Sequence, residues 1–172
     1  MHAFDINTID GKSIIVRRAN ENEKITTLDG IERTLDENML VIADNKKPIG
    51  IAGVMGGENS EITNDTQTLV LESAVFYGGN VRKTAKKVGL RTEASSRSEK
   101  GLSPENSERV VNRAVQLIEE LKIGTAVDGV IDIYPNKQKV NTIKLDVDRI
   151  NNLLGTNITR EEMINILTKL DV

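Results

Sequence analysis

The sequence predicts an α+β protein: sheets of short strands with flanking helices, followed by the start of a further small domain. Three observations predict it. Short runs of Ile, Val and Leu recur between turn residues over roughly the first 76 positions. Helical periodicity then takes over in stretches around 80–88 and 104–122. Aromatic residues make up only 2% of a chain that is 38% hydrophobic, so branched aliphatics must fill the core, and those suit pleated surfaces.

Residues 13–19 (SIIVRRA) form the first predicted strand. Residues 24–35 predict a hairpin with a two-residue turn at Asp29-Gly30, because glycine accepts positive φ cheaply. Residues 39–43 and 48–54 are two further strands, joined through 44–47. Residues 56–67 are rich in Gly, Asn, Ser, Thr and Asp and predict a loop. Residues 68–76 are an apolar strand interrupted by Glu72. Over 80–88 the period becomes helical: Val81, Ala85 and Val88 share one face, basic residues take another, and Gly89 is placed to end the helix. Residues 91–101 are polar and predict a loop. Ser103-Pro104 is expected to open the longest helix as N-cap and first turn. Its buried stripe would be Val110, Val111, Ala114, Leu117, Ile118 and Leu121, with Gly124 as its close. Residues 127–134 predict a returning strand. The domains are therefore expected at 1–134 and 141–172, with 135–140 as linker. The second segment would hold a strand at 142–145, a helix at 147–154 ended by Gly155, and a helix from Arg160 with Thr159 and Glu162 at capping-box spacing.

Composition narrows the chemistry. There is no cysteine, which excludes disulfides and thiolate metal sites, and the single histidine, His2, argues against zinc. No apolar run approaches a membrane span and no secretory signal is visible, so a soluble cytoplasmic protein is expected. Net charge is −3, yet residues 82–100 carry seven basic side chains against Glu93 and Glu99. That segment is +5, leaving −8 elsewhere. Such a reversal of sign suits either a solvated helix face or contact with a phosphate backbone.

Two positions invite a functional reading beside a structural one. Gly56-Gly57 follows an apolar strand but lacks the lysine of a phosphate loop. It is either a tight turn or a place where a ligand approaches the backbone. Glu72 lies in an apolar run, where a carboxylate is costly unless partnered. It is either an acid bridged to a neighbouring arginine or an acceptor awaiting a ligand donor. No serine has recognisable histidine and acid partners, so no covalent nucleophile is evident.

An ordered series of motifs resembles the editing domain of the bacterial phenylalanyl-tRNA synthetase β subunit: HAFD (2–5), TTLDG (26–30), VIAD (41–44), IAGVMGG (51–57), LESAVF (71–76), VRKTAKKVGLRTEAS (81–95) and Arg97-x-Glu99-x-Gly101. The likeness covers residues 1 to about 134, begins part-way into the family's domain, and continues into the start of the next one. Ser96 and Ser98 stand where that family often has aromatics.

The resemblance implies layered, sandwich-like sheets with flanking helices, followed by the start of a small helical or winged domain, and it implies hydrolysis of tRNA(Phe) mischarged with tyrosine. It implies that Glu72 recognises the tyrosine hydroxyl, that His2 is the editing-site histidine, that Thr92 and Ala94 line the pocket and that Gly56 lies at its mouth. Glu72 and His2 are thus the catalytic candidates, and Arg82, Lys83, Lys86, Lys87 and Arg91 the tRNA-binding ones. It also implies a synthetase α subunit as partner in a heterotetramer of two α and two β subunits, with ATP and magnesium in that holoenzyme and no cofactor in this chain. Two rival functions remain: a non-catalytic tRNA or protein docking module, and a free-standing editing factor.

Overall fold

The computed structural model describes residues 1–139 and 141–170. It comprises two compact units, Met1–Val127 and Asp128–Val172. Its mixture of antiparallel sheets and helices is the α+β class the sequence predicts.

In the first unit, β1 (His2–Asp5) runs into two short 3-10 turns and then β2 (Ile15–Arg18). A hairpin comes next, β3 (Lys24–Thr26) and β4 (Glu32–Thr34), with Ile25 opposite Arg33. The turn is a three-residue loop rather than a two-residue one. Thr27 N donates to Ile31 O at 3.1 Å, and Gly30 closes the loop at φ +73°. That is the left-handed position a three-residue hairpin needs, so glycine is favoured there. Arg33 is buried and binds the turn, donating to Thr27 Oγ1 at 2.6 Å and Asp29 Oδ2 at 2.9 Å.

β5 (Leu40–Ala43), β6 (Pro48–Ile51) and β7 (Met55–Gly56) complete an antiparallel sheet in the order β2-β5-β6-β7. Alternation along β5 sends residues to both faces. Val41 and Ala43 join Ile25, Leu35, Ile51, Val54, Val81 and Ala85 in one cluster. Ile42 joins Phe4, Ile9, Ile49 and Ala52 in the other. β8 (Leu69–Glu72) pairs with β1 as a separate antiparallel ribbon, and Phe4 with Val70 ties that ribbon to the second cluster. The predicted strand over 68–76 is thus shorter, ending at Glu72.

α1 (Gly78–Lys87) buries Val81, Thr84 and Ala85. It ends as predicted at Gly89: Gly89 N donates to Lys86 O and Leu90 N to Ala85 O, a Schellman closure. The predicted loop at 91–101 is instead interrupted by a helix, α2 (Glu93–Ser98), made by a capping box between Thr92 and Ser95.

α3 (Asn106–Glu120) begins later than Ser103-Pro104, which form the turn before it, and its N-cap Glu105 makes no side-chain cap bond. Its expected stripe is not buried: Val111, Ala114 and Ile118 are half-covered, while Val110, Leu117 and Leu121 are exposed. The left-handed residue beyond it is Lys122 (φ 56°), not Gly124.

The strands expected at 127–134 and 142–145 are absent among the described residues. No described strand pairs with either stretch, and an isolated strand cannot satisfy its backbone in a ladder. α4 (Val147–Leu154) is capped by Asp146 and stops at Gly155. α5 (Arg160–Thr168) carries the predicted Thr159–Glu162 capping box and buries Met163. Position 140 of the expected linker and 171–172 of the expected second domain lie outside the described residues.

Candidate functional site

The site is built on the β1–β8 ribbon. Its register sets His2 opposite Glu72 and Phe4 opposite Val70. In an antiparallel pair, opposite residues share a face, as do positions two apart. His2, Phe4, Val70 and Glu72 therefore project together. The His2 and Phe4 rings meet edge to face with centroids 4.6 Å apart, so a buried aromatic holds the imidazole from below.

Gly56 packs against the other side of His2. A Cβ at Gly56 would stand 2.5 Å from His2 Nε2 and 3.3 Å from Leu28 Cδ1. Only a glycine admits the ring there. The hairpin loop braces this point, since Leu28 N donates to Gly56 O at 3.1 Å. Gly56 is thus a strand residue under an imidazole, not part of a turn.

Among the described residues Glu72 is not bridged to an arginine. Its Oε2 is buried without a hydrogen-bond partner among the described residues, and so is His2 Nε2. Burial pushes the Glu72 carboxyl above its ordinary range. Burial likewise holds the His2 imidazole below its ordinary value, so the ring is neutral at physiological pH. His2 Nε2 and Glu72 Oε2 share this state with Arg33 Nε and Asp36 Oδ2 among the described residues, and a buried polar atom without a partner is an expense folded chains usually avoid.

Thr92 sits at the N-cap of α2. Its Oγ1 accepts from Ser95 N at 3.0 Å and donates to Val54 O at 2.7 Å, two residues before Gly56. Ala94 lies exposed in the first turn of α2; Thr92 and Val54 connect it to the His2–Gly56–Glu72 cluster. Clefts lined by residues 6–12 with Lys46 and Lys47, and by Glu119 and residues 122–125, lie away from these side chains.

The basic candidates occupy the exposed face of α1 and the turn leading from it into α2. Lys87 pairs with Asp36 at 2.6 Å and Arg91 with Glu99 at 3.1 Å. Arg82, Lys83 and Lys86 are exposed and have no ion-pair partner among the described residues. The sequence reading missed Phe4 and Leu28. The His-x-Phe spacing within HAFD carries the first as a shared strand face; no local pattern signals the second.

Residues 1–123 match the family described as the B3/4 domain. The chain belongs to that family. The B3/4 domain chain is 48% identical over 172 residues to the phenylalanine-tRNA ligase beta subunit of Clostridium acetobutylicum, covering all of this chain and 22% of that protein. It is 46% identical over 170 residues to the subunit of that name in Moorella thermoacetica, covering 99% of this chain and 21% of that protein. The Geobacter metallireducens subunit is 44% identical over 171 residues, with 99% of this chain and 21% of that protein covered. The B3/4 domain chain thus spans about a fifth of the length of the curated relatives it matches.

Proposed function

We propose that this B3/4 chain is part of a phenylalanine-tRNA ligase β subunit and that its site proofreads, hydrolysing tRNA(Phe) that carries tyrosine. The observation that carries the reading is the buried, unpartnered Glu72 Oε2 facing His2. A pocket shaped for phenylalanine rejects tyrosine only by crowding one hydroxyl, so a second site is useful. Glu72 inverts the selection. A tyrosine phenol donates to its waiting oxygen, whereas phenylalanine leaves that oxygen buried and unsatisfied, a difference of roughly 1–3 kcal/mol.

The chemistry asks little of the chain. An aminoacyl ester is already activated, and a water oriented near its carbonyl suffices. Neutral His2, clamped between Phe4 and Gly56, presents Nε2 as an acceptor that positions such a water or the substrate. Thr92 and Ala94 form the α2 side of the site, and the α1 cations meet the tRNA backbone. The α subunit, with the ATP and magnesium of amino-acid activation, belongs to the holoenzyme in this reading. A docking module with Glu72 as an internal ion-pair partner lacks its arginine among the described residues.

The test is deacylation of Tyr-tRNA(Phe) against Phe-tRNA(Phe) by the full-length synthetase. Glu72→Ala should erase the preference for the tyrosyl substrate, a change of about 5- to 100-fold. An unaltered preference in a folded variant overturns the assignment.

A further inference from the structure

Tyr77 is the exposed exception among four aromatic residues. Phe4 is buried, Phe76 packs against both core clusters, and Tyr134 is half-covered. Tyr77 is 83% exposed, so its ring contributes almost nothing to the core. Nor does it serve the helix it precedes. It is the N-cap of α1 but makes no side-chain cap bond, where Ser, Thr, Asp or Asn would.

Its position is nonetheless defined. The ring lies over Gly79, whose Cβ, if it had one, would stand 2.9 Å from Tyr77 Cε1 and 3.3 Å from Tyr77 Oη. Gly79 is exposed, and three and four residues on lie Arg82 and Lys83, the next turn of the same helix face. Lys86 continues that face about 10 Å from Gly79 along the axis. One exposed edge of α1 therefore presents a flat ring followed by three cations without ion-pair partners among the described residues.

We propose that Tyr77 is a stacking platform for an unpaired base of RNA, with Arg82, Lys83 and Lys86 holding the adjoining phosphates. This rests on the reading of the chain as a tRNA-editing domain and names the RNA element its basic helix takes. A ring beside cations is how proteins hold single strands, where bases are free to stack. A duplex would leave the ring nothing to face. Reach narrows the nucleotide further. Tyr77 is five residues beyond Glu72, so their Cα atoms are at most about 18 Å apart. If the ester enters at Glu72, a base on Tyr77 belongs to the single-stranded 3′ end, within a few nucleotides of the aminoacylated ribose.

Binding of the full-length protein to uncharged tRNA(Phe), read by fluorescence anisotropy across a salt series, tests this. Tyr77→Ala should weaken binding about 5- to 100-fold with an unchanged salt slope, and Tyr77→Phe should restore it. Arg82→Ala should instead lower the salt slope by about one. Truncating the single-stranded 3′ end of the tRNA should abolish the difference between wild type and Tyr77→Ala. Equal binding by wild type and Tyr77→Ala overturns the stacking role while leaving editing at Glu72 intact. A Tyr77→Ala loss of subunit assembly with normal RNA affinity overturns it in favour of a protein contact. Failure of the wild type to bind tRNA overturns both this role and the editing reading.

Discussion

Thr92 and Val54 are joined by a 2.7 Å hydrogen bond that fastens the start of α2 to the loop entering β7. The same hydroxyl accepts from Ser95 N at 3.0 Å and so closes the first turn of the helix. Both bonds are committed within the protein, so Thr92 fastens α2, which carries Ala94, to the strand that ends in Gly56. Thr92→Val keeps the volume but removes donor and acceptor together. It should cost about 1–3 kcal/mol in urea denaturation and depress Tyr-tRNA deacylation, whereas Thr92→Ser should retain both.

Glu72 gives a stability prediction with a definite sign. Its carboxyl is raised above the ordinary 4.5, so the folded state holds its proton where the unfolded chain has lost it. Between 4.5 and the raised folded value, stability contributed by this group falls as pH rises. Glu72→Gln carries no such slope. The variant should therefore gain on the wild type in denaturation midpoint as pH climbs from 4.5 towards neutrality, with a constant difference below that window. His2 acts oppositely, since its depressed value makes the fold lose stability as pH falls below 6.5, but both proteins share it.

Much of this was legible locally. The sheet strands, α1 with its Gly89 closure and the Thr159–Glu162 box derive from periodicity and cap chemistry. α2 was not, because Glu93–Ser98 has no apolar period and owes its existence to one capping box. Residues 127–134 read as a strand because their pattern asks for a partner, which no described strand supplies. Glu72 stood out as a carboxylate in an apolar run. His2 did not, since its meaning lies in a pairing across 70 positions of sequence that only the β1–β8 register discloses.

Asp44 should govern acid sensitivity. It is buried and accepts from the backbone amides of Asp10, Lys46 and Lys47 and from Lys47 Nζ at 2.9 Å. Burial alone would raise its carboxyl, but these donors outweigh burial and hold it well below the ordinary range. Its contribution is therefore present above the ordinary 3.8 and is lost as pH falls below it. Asp44→Asn should lower stability by about 2–3 kcal/mol at neutral pH, and should flatten the wild type's decline below pH 4 in a denaturation series.

Gly56 and His2 can be tested against each other. A methyl at Gly56 meets the imidazole at a distance no real carbon tolerates, so Gly56→Ala must displace the His2 ring, β7 or both. β7 is hydrogen-bonded on one side to β6 and braced through Gly56 O by Leu28 N, so the ring is the part that yields. The expected result is a loss of Tyr-tRNA deacylation together with about 1–3 kcal/mol of stability. His2→Ala alone should also lose deacylation. In the double variant His2→Ala with Gly56→Ala the clash is gone, so the stability losses should fall short of additive while activity stays low. Strictly additive losses would mean that the glycine is needed for its backbone alone, and that the imidazole does not occupy the space its absent side chain leaves.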